Sequence, residues 1–343
     1  MSKLVAVFAV AAIAISMNNG ASAQDRLVVA GYGGSFEDIM RKEIFPDFEK
    51  QHGIKIDYVA GNSTNTVARL QAQRGSQEID VAIIDDGPMY QAIALGFCAA
   101  IEGMPVDDIY KTARYKDDKA VGLGIVATGL MYNKKYFEEK GWAAPTSWKD
   151  LEDPKYKKLV VIPPMNNSYG LHAVVEFAKL NGGGEKNIDP GFDAFEKRVG
   201  PNVLVYEPSP GKMTELFQSG QAVLGVWGSG RVKSFADTGF PVGFVYPQEG
   251  AYALLASMCP IAKPKSSPLA QAFVNYLLTP PIQTKLGTFY GYGPVNKKAD
   301  AKDDPNVPLP IGKRAADLVI ADWDTINAHR EDWNKRWTRQ IER

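Results

Sequence analysis

Apolar positions along this chain fall into short runs of strand length, separated by stretches with helical spacing. Residues 26–30 (RLVVA) read as a strand and Gly31-Tyr32-Gly33-Gly34 as a turn. Ser35 is placed to cap a helix reaching about Gln51, with Asp38 in the capping-box position. Residues 54–59 (IKIDYV) alternate as a second strand, 65–74 have helical spacing, and 79–84 (IDVAII) form a third, buried strand. Asp85-Asp86-Gly87-Pro88 ends that strand and starts another helix. Strands that alternate with helices imply an α/β fold with a mostly parallel sheet covered on both faces.

The alternation then continues. Strands are predicted at 129–132, 159–162, 203–205, 223–227 and 242–246. Helices are predicted at 134–140, 169–180 and 211–219, with Gly228-Ser229-Gly230 opening one more from Arg231. Residues 252–262 are apolar and extended, long enough to pass from one lobe to another, and 299–312 (ADAKDDPNVPLPIG) read as a surface loop. A last amphipathic helical region runs from Arg314 onward.

The first residues carry a different signal. Lys3 precedes the uncharged apolar run 4–17, and Ala21-Ser22-Ala23 fits a small-x-small cleavage site. Residues 1–23 are therefore expected to be a cleaved signal peptide, leaving a soluble, exported chain from Gln24. As a helix the apolar run spans only about 21 Å, short of the ~30 Å hydrocarbon core. No cysteine follows the cleavage site, which argues against a lipid anchor.

The remaining ~320 residues exceed one typical core, so two domains are expected. The 39 basic and 39 acidic residues balance, and no long block of one sign occurs. That pattern argues against nucleic acid or an anionic membrane as partner. Cys98 and Cys259 are the only cysteines. An oxidising compartment allows them to pair, and two separate buried thiols fit equally well.

Motifs for catalysis are missing. There are only three histidines, His52, His172 and His329, and neither His52 nor His329 neighbours a candidate nucleophile. A nucleophile elbow around Gly228-Ser229-Gly230 would need glycine at Trp227. Zinc spacings are absent, and the Gly31-x-Gly33 turn has Phe36 where a dinucleotide fingerprint needs its third glycine. The chain is read as a non-enzyme without cofactor or metal.

Ligand contacts are expected at the C-terminal ends of the strands. Tyr32 stands there, or packs on its own turn. Asp85 and Asp86 can meet a ligand ammonium, or one of them can cap the next helix. Trp227 offers a stacking face, or belongs to the core. Arg231, one helical turn later, offers a fork for a carboxylate, or a surface pair. Glu249 can line a cleft or cap a turn. Ser63, Ser168, Tyr169, Tyr290 and Tyr292 can supply neutral hydrogen bonds.

Taken together, the segments resemble the bacterial periplasmic solute-binding proteins of the spermidine/putrescine group. The carrying residues are the export signal, Tyr32-Gly33-Gly34-Ser35, Phe48-Glu49-Lys50 with Gly53-Ile54, Asp80-Val81, and Met131-Tyr132-Asn133-Lys134. Pro145-Thr146-Ser147-Trp148-Lys149-Asp150-Leu151, Gly225 to Trp227, Pro247 to Gly250 and Gly293-Pro294-Val295-Asn296 complete the ordered set. The resemblance implies two α/β lobes joined by extended hinge crossovers, with the ligand trapped between them. The lobes are expected at 24–127 plus 254–298 and at 128–253 plus 299–343. It also implies a monomer that delivers its ligand to an ABC permease with a cytoplasmic ATPase.

The chain departs from the polyamine pattern where specificity is set. Leu254-Leu255-Ala256 replaces the group's Trp-x-Asp, and Ser168-Tyr169 stand where an acidic residue is expected. Arg231 points instead to an anionic ligand group. The expected solute is an amino-carboxylate such as γ-aminobutyrate, its carboxylate on Arg231 and its ammonium at Asp85, Asp86 or Glu249. A polyamine, a ferric ion held by Tyr290 and Tyr292, a simple carboxylate, and an exported enzyme on the same scaffold are the alternatives.

Overall fold

The computed structural model describes residues 26–264, 267–304 and 307–342. The export signal lies outside the described residues. The chain begins with β1 (Arg26–Tyr32) and the helix α1 (Ser35–Ile39), which runs through a π-helical turn (Met40–Ile44) into α2 (Phe45–His52). Next come β2 (Lys55–Gly61), α3 (Ser63–Ala72), β3 (Val81–Asp85) and α4 (Asp86–Ala94). The long strand β4 (Val121–Asn133) leads to α5 (Lys134–Lys140), β5 (Val160–Ile162), α6 (Ser168–Leu180) and α7 (Asp189–Ala194). Then follow β6 (Val203–Tyr206), α8 (Pro210–Gln218), β7 (Leu224–Gly228), α9 (Ser229–Ala236), β8 (Val242–Val245) and β9 (Tyr252–Pro260). Four helices close the chain: α10 (Pro268–Leu277), α11 (Pro280–Tyr290), α12 (Gly312–Ala316) and α13 (Trp323–Gln340).

The strands join in one sheet of order β2-β1-β3-β9-β4-β7-β5-β6, with β8 also paired to β4. Each end of the sheet is a parallel wing: β2, β1 and β3 at one end, β7, β5 and β6 at the other. The middle is antiparallel, because β4 and β9 pass from wing to wing. β4 pairs with β9 up to Thr128 and with β7 from Thr128 onward. The sheet is therefore more mixed than alternation alone predicts.

Period-two alternation in β1 shows how the core is built. Leu27 and Val29 face α1, α2, α10 and α11, while Val28 and Ala30 face α3 and α4. The second wing repeats the arrangement. Val160 and Ile162 pack with α6, α7 and α13, and Val161 packs with α8 and α9.

Three expectations change. Ser35 does not cap its helix: the N-cap is Gly34 at φ 67°, with no side-chain capping bond. The first half of β4 is a strand although Gly122 and Gly124 weaken its pattern. Both glycines leave room for neighbours, since a Cβ would lie 2.7 Å from Leu255 at Gly122 and 2.3 Å from Tyr292 at Gly124. The C-terminal helical region is split, because Val319 leaves the helix to pair with Tyr252.

Cys98 and Cys259 form a disulfide with a Cα separation of 5.6 Å, buried against α3 and α4 and closing a loop of 161 residues. Closing so long a loop restricts the unfolded chain strongly, an effect on the order of 3–5 kcal/mol. The Cys98→Ser, Cys259→Ser double variant is expected to unfold at lower urea by about that free energy. Unchanged denaturation would show that the bond contributes nothing to stability.

Candidate functional site

A cavity of about 510 Å³ lies between the two wings, at the C-terminal ends of β1, β2 and β3. This is where an open parallel sheet presents its loops and helix N-termini. The first wing contributes Tyr32, Ser63 and Asp85, and the second contributes Ser168, Tyr169 and Arg231. Six of the nine sequence-predicted residues thus meet in one place.

Asp85 ends β3 and is held from three sides. Its backbone N–H donates to Ser63 Oγ at 3.0 Å. Its carboxylate accepts from Tyr32 Oη at 2.7 Å and from Ser168 Oγ, which reaches across from the N-terminus of α6. Burial and then the neighbouring Asp85 charge hold the Tyr32 phenol well above its usual range, so it stays a donor.

Arg231 sits in the first turn of α9 and is 8 % exposed. Its Nη1 donates to the Gly33 carbonyl at 2.8 Å and to Ser35 Oγ at 3.4 Å. The guanidinium stands 5.9 Å from the centre of the Tyr290 ring. Among the described residues no carboxylate lies within ion-pair distance of it. Arg231 and Ser168 both bond across the cavity, so the two wings are drawn together over it.

Tyrosines form much of the wall, and glycines make room for them. A Cβ at Gly228 would lie 2.3 Å from Tyr169 Oη, and one at Gly230 would lie 2.6 Å from the Tyr290 carbonyl. Tyr290 and Tyr292 pack edge to face at 4.8 Å, and Phe36 supports both. Burial raises the Tyr169, Tyr290 and Tyr292 phenols, which remain protonated donors.

Besides Asn166, three further polar groups that the sequence reading missed line the cavity: Asn62, Asn167 and Ser209. Each caps a helix, Asn62 accepting from Asn65 N at 2.8 Å, Asn167 from Tyr169 N at 2.9 Å and Ser209 from Lys212 N at 3.4 Å. The available signal was a capping residue directly before each of α3, α6 and α8. The leading N–H groups of those helices have no partner within the helix and carry partial positive charge toward the cavity.

The other three predicted residues stand elsewhere. Trp227 is 3 % exposed and packs in the core with Met131, Phe217 and Phe244. Strand alternation turns its side chain toward α8 and α9, away from the cavity. Asp86 lies under α13 and does not line the cavity; burial and then the Asp85 charge push its carboxyl up to about 7. Glu249 accepts from Trp148 N at 3.2 Å and from Ser147 Oγ, satisfying the start of a 3-10 helix at Trp148–Glu152. Gln248 N and Gly250 O bond the same segment, to Thr146 O at 2.9 Å and Trp148 Nε1 at 2.9 Å. Residues 145–151 and 247–250 therefore clamp one another.

An interwing cavity with a buried cation and neutral donors has the features of a solute-binding site. Residues 43–308 match the family model described as bacterial extracellular solute-binding protein, and the chain belongs to that family. An uncharacterized protein from Haemophilus influenzae is 26 % identical over 285 residues, covering 79 % of this chain and 78 % of its own. Among solved structures, the periplasmic binding protein AfuA from Actinobacillus pleuropneumoniae, with fructose-6-phosphate bound, superposes with a TM-score of 0.77. It is 21 % identical and the match covers 92 % of this chain and 98 % of that one. AgtB from Agrobacterium tumefaciens, in complex with agropinic acid, superposes at 0.75 with 24 % identity, over 93 % and 99 % of the two chains. The family and the two-lobed fold are those of substrate-binding proteins rather than enzymes.

Removing the Glu249 carboxylate leaves Trp148 N and Ser147 Oγ without their partner, an effect of about 1–3 kcal/mol. Glu249→Ala is expected to lower thermal stability while leaving solute affinity within about twofold. An affinity loss at unchanged stability would put Glu249 back in the site.

Proposed function

We propose that this chain is the periplasmic receptor of an ABC importer and captures a small organic acid between its lobes. The observation that carries the reading is Arg231: a buried guanidinium on the cavity wall that, among the described residues, bonds neutral oxygens and faces phenols, with no carboxylate within ion-pair distance. A buried cation without a counter-ion is costly, and an anionic ligand group removes that cost. Helix N-termini at Asn62, Asn167 and Ser209 favour the same sign of charge.

An amino-carboxylate fits this wall best among the expected solutes. Arg231 pairs with its carboxylate and Asp85 meets its ammonium, exchanging bonds now made to Tyr32 and Ser168. Asp86 and Glu249 drop out of that role because their carboxylates are used elsewhere. Among the described residues a polyamine would find one carboxylate lining the cavity, Asp85, already accepting two hydrogen bonds, and the unpaired Arg231 guanidinium on the same wall. Two of the structural neighbours hold fructose-6-phosphate and agropinic acid, both anionic, while others are a GABA receptor and a ferric binding protein, so the sign of charge rests on Arg231.

The lobes are taken as 24–127 plus 254–298 and 128–253 plus 299–343. The hand-off of β4 at Thr128 and the start of β9 at Tyr252 support a hinge at those strands. Closure would let a permease distinguish the loaded receptor from the empty one.

The test is a thermal-shift screen of polyamines, ω-amino acids, α-amino acids, simple carboxylates and sugar phosphates, followed by calorimetry on Arg231→Ala. A carboxylate- or phosphate-bearing hit is expected, with affinity falling at least about thirtyfold in the variant. Binding of spermidine alone, or an unchanged affinity in Arg231→Ala, would overturn the assignment. A coloured protein as purified would favour ferric iron on Tyr290 and Tyr292.

A further inference from the structure

Behind the cavity, the seam between α4 and α13 holds a buried polar cluster that the solute site does not use. The Trp323 ring lies against Gly87, where a Cβ would sit 2.4 Å from it. Asn327 Nδ2 donates to the Gly87 carbonyl at 3.0 Å. Arg330, 5 % exposed, donates from Nη2 to the carbonyl of Asn166, which lines the cavity, at 3.4 Å. Yet Arg330 Nε and Nη1, Asn327 Oδ1 and His172 Nε2 are buried with no hydrogen-bond partner among the described residues. Such groups are expensive to keep dry, so the seam is a weak point in the closed molecule.

The seam also joins the two wings. α4 follows β3 of the first wing, whereas Trp323, Ile326, Trp333 and Trp337 of α13 belong to the core of the second. Asp86, next to Gly87 at the start of α4, is 9 % exposed in this arrangement, and parting the wings would lift Trp323 from Gly87 and let water reach it. Asp86 is faced by Asp85 beside it, Tyr90 on its own helix, Tyr115 from the following loop, and Trp323 and Arg330 from α13. Asp324 faces Tyr90, and His172 on α6 faces Arg330.

We propose that closure of the two wings is proton-linked at this seam, the closed form holding a proton on Asp86 that the open form releases. Burial and then Asp85 push the Asp86 carboxyl up to about 7 when the seam is shut. In water an aspartate titrates near 3.9. Between those values the closed form binds a proton that the open form lacks, so closure is favoured as pH falls and loses that support above about 7. From about pH 8 to about pH 5 the closing equilibrium shifts by on the order of a hundredfold. Arg330 acts in the opposite sense, favouring the ionised carboxylate, and limits the shift.

Small-angle scattering of the ligand-free protein at about pH 5.5 and about pH 8.5, at fixed ionic strength, tests the linkage. The radius of gyration is expected near ~20 Å, the compact value for this length, at the lower pH and larger at the higher. Asp86→Asn is expected to stay compact at both. The Trp323 indole N–H resonance, assigned with Trp323→Phe, gives a second reading in the unmodified protein and should titrate with a midpoint near 7. A radius independent of pH, or an indole signal flat across the neutral range, overturns the proposal. Neither measurement needs the solute identified, so failure here leaves the Arg231 assignment standing.

Discussion

A guanidinium buried on a cavity wall without a carboxylate beside it is the constraint around which this molecule is arranged. Arg231 is carried by the first turn of α9, on the second wing, yet its two hydrogen bonds go to Gly33 and Ser35 on the first. Asp85 does the reverse, reaching from the first wing to Ser168 on the second. Two charges of opposite sign therefore span the same cleft without pairing with each other. Each is held by neutral partners, which a ligand with matching groups can replace. The cost of dry, unpaired charge is what an occupant with matching groups would relieve on the proposed reading.

The scaffold that permits this is a sheet with parallel ends and an antiparallel middle. Parallel wings aim strand ends and helix N-termini at one gap. β4 and β9 cross that gap as ordinary strands, so the two wings are connected by hydrogen-bonded ribbons rather than loose linkers. Thr128, where β4 changes partner, is fully buried and shares a hydrogen bond with His172 Nδ1 at 2.9 Å. Burial drives the His172 pKa down to about 3, so the ring stays neutral there. Tyrosines then narrow the cleft, and the glycines beneath them fix how closely each ring approaches the sheet.

Much of this was legible before any coordinates. Strand–helix alternation indicated the wings, position at a strand end singled out Tyr32 and Asp85, and Arg231 was marked one helical turn beyond a strand end. Other features depend on contacts far apart in sequence. Trp227 ends a strand as a ligand residue would, but alternation sends its side chain to the core, while Gly228 leaves room for the Tyr169 ring. Glu249 satisfies a segment about a hundred residues earlier, which no local pattern reports. The first half of β4 was hidden by two glycines whose purpose is visible only once Leu255 and Tyr292 are seen against them. The segments that carry the family resemblance at 145–151 and 247–250 prove to hold each other, which is why they mark the scaffold and say little about the solute.

The most direct test of the central claim is a crystal structure of the protein with its solute bound. The account predicts an acidic oxygen of the solute within ~3.2 Å of the Arg231 guanidinium, in the range of a charge-assisted hydrogen bond. An ammonium or an apolar group at that position, or a solute that leaves Arg231 bonded only to Gly33 and Ser35, would contradict it.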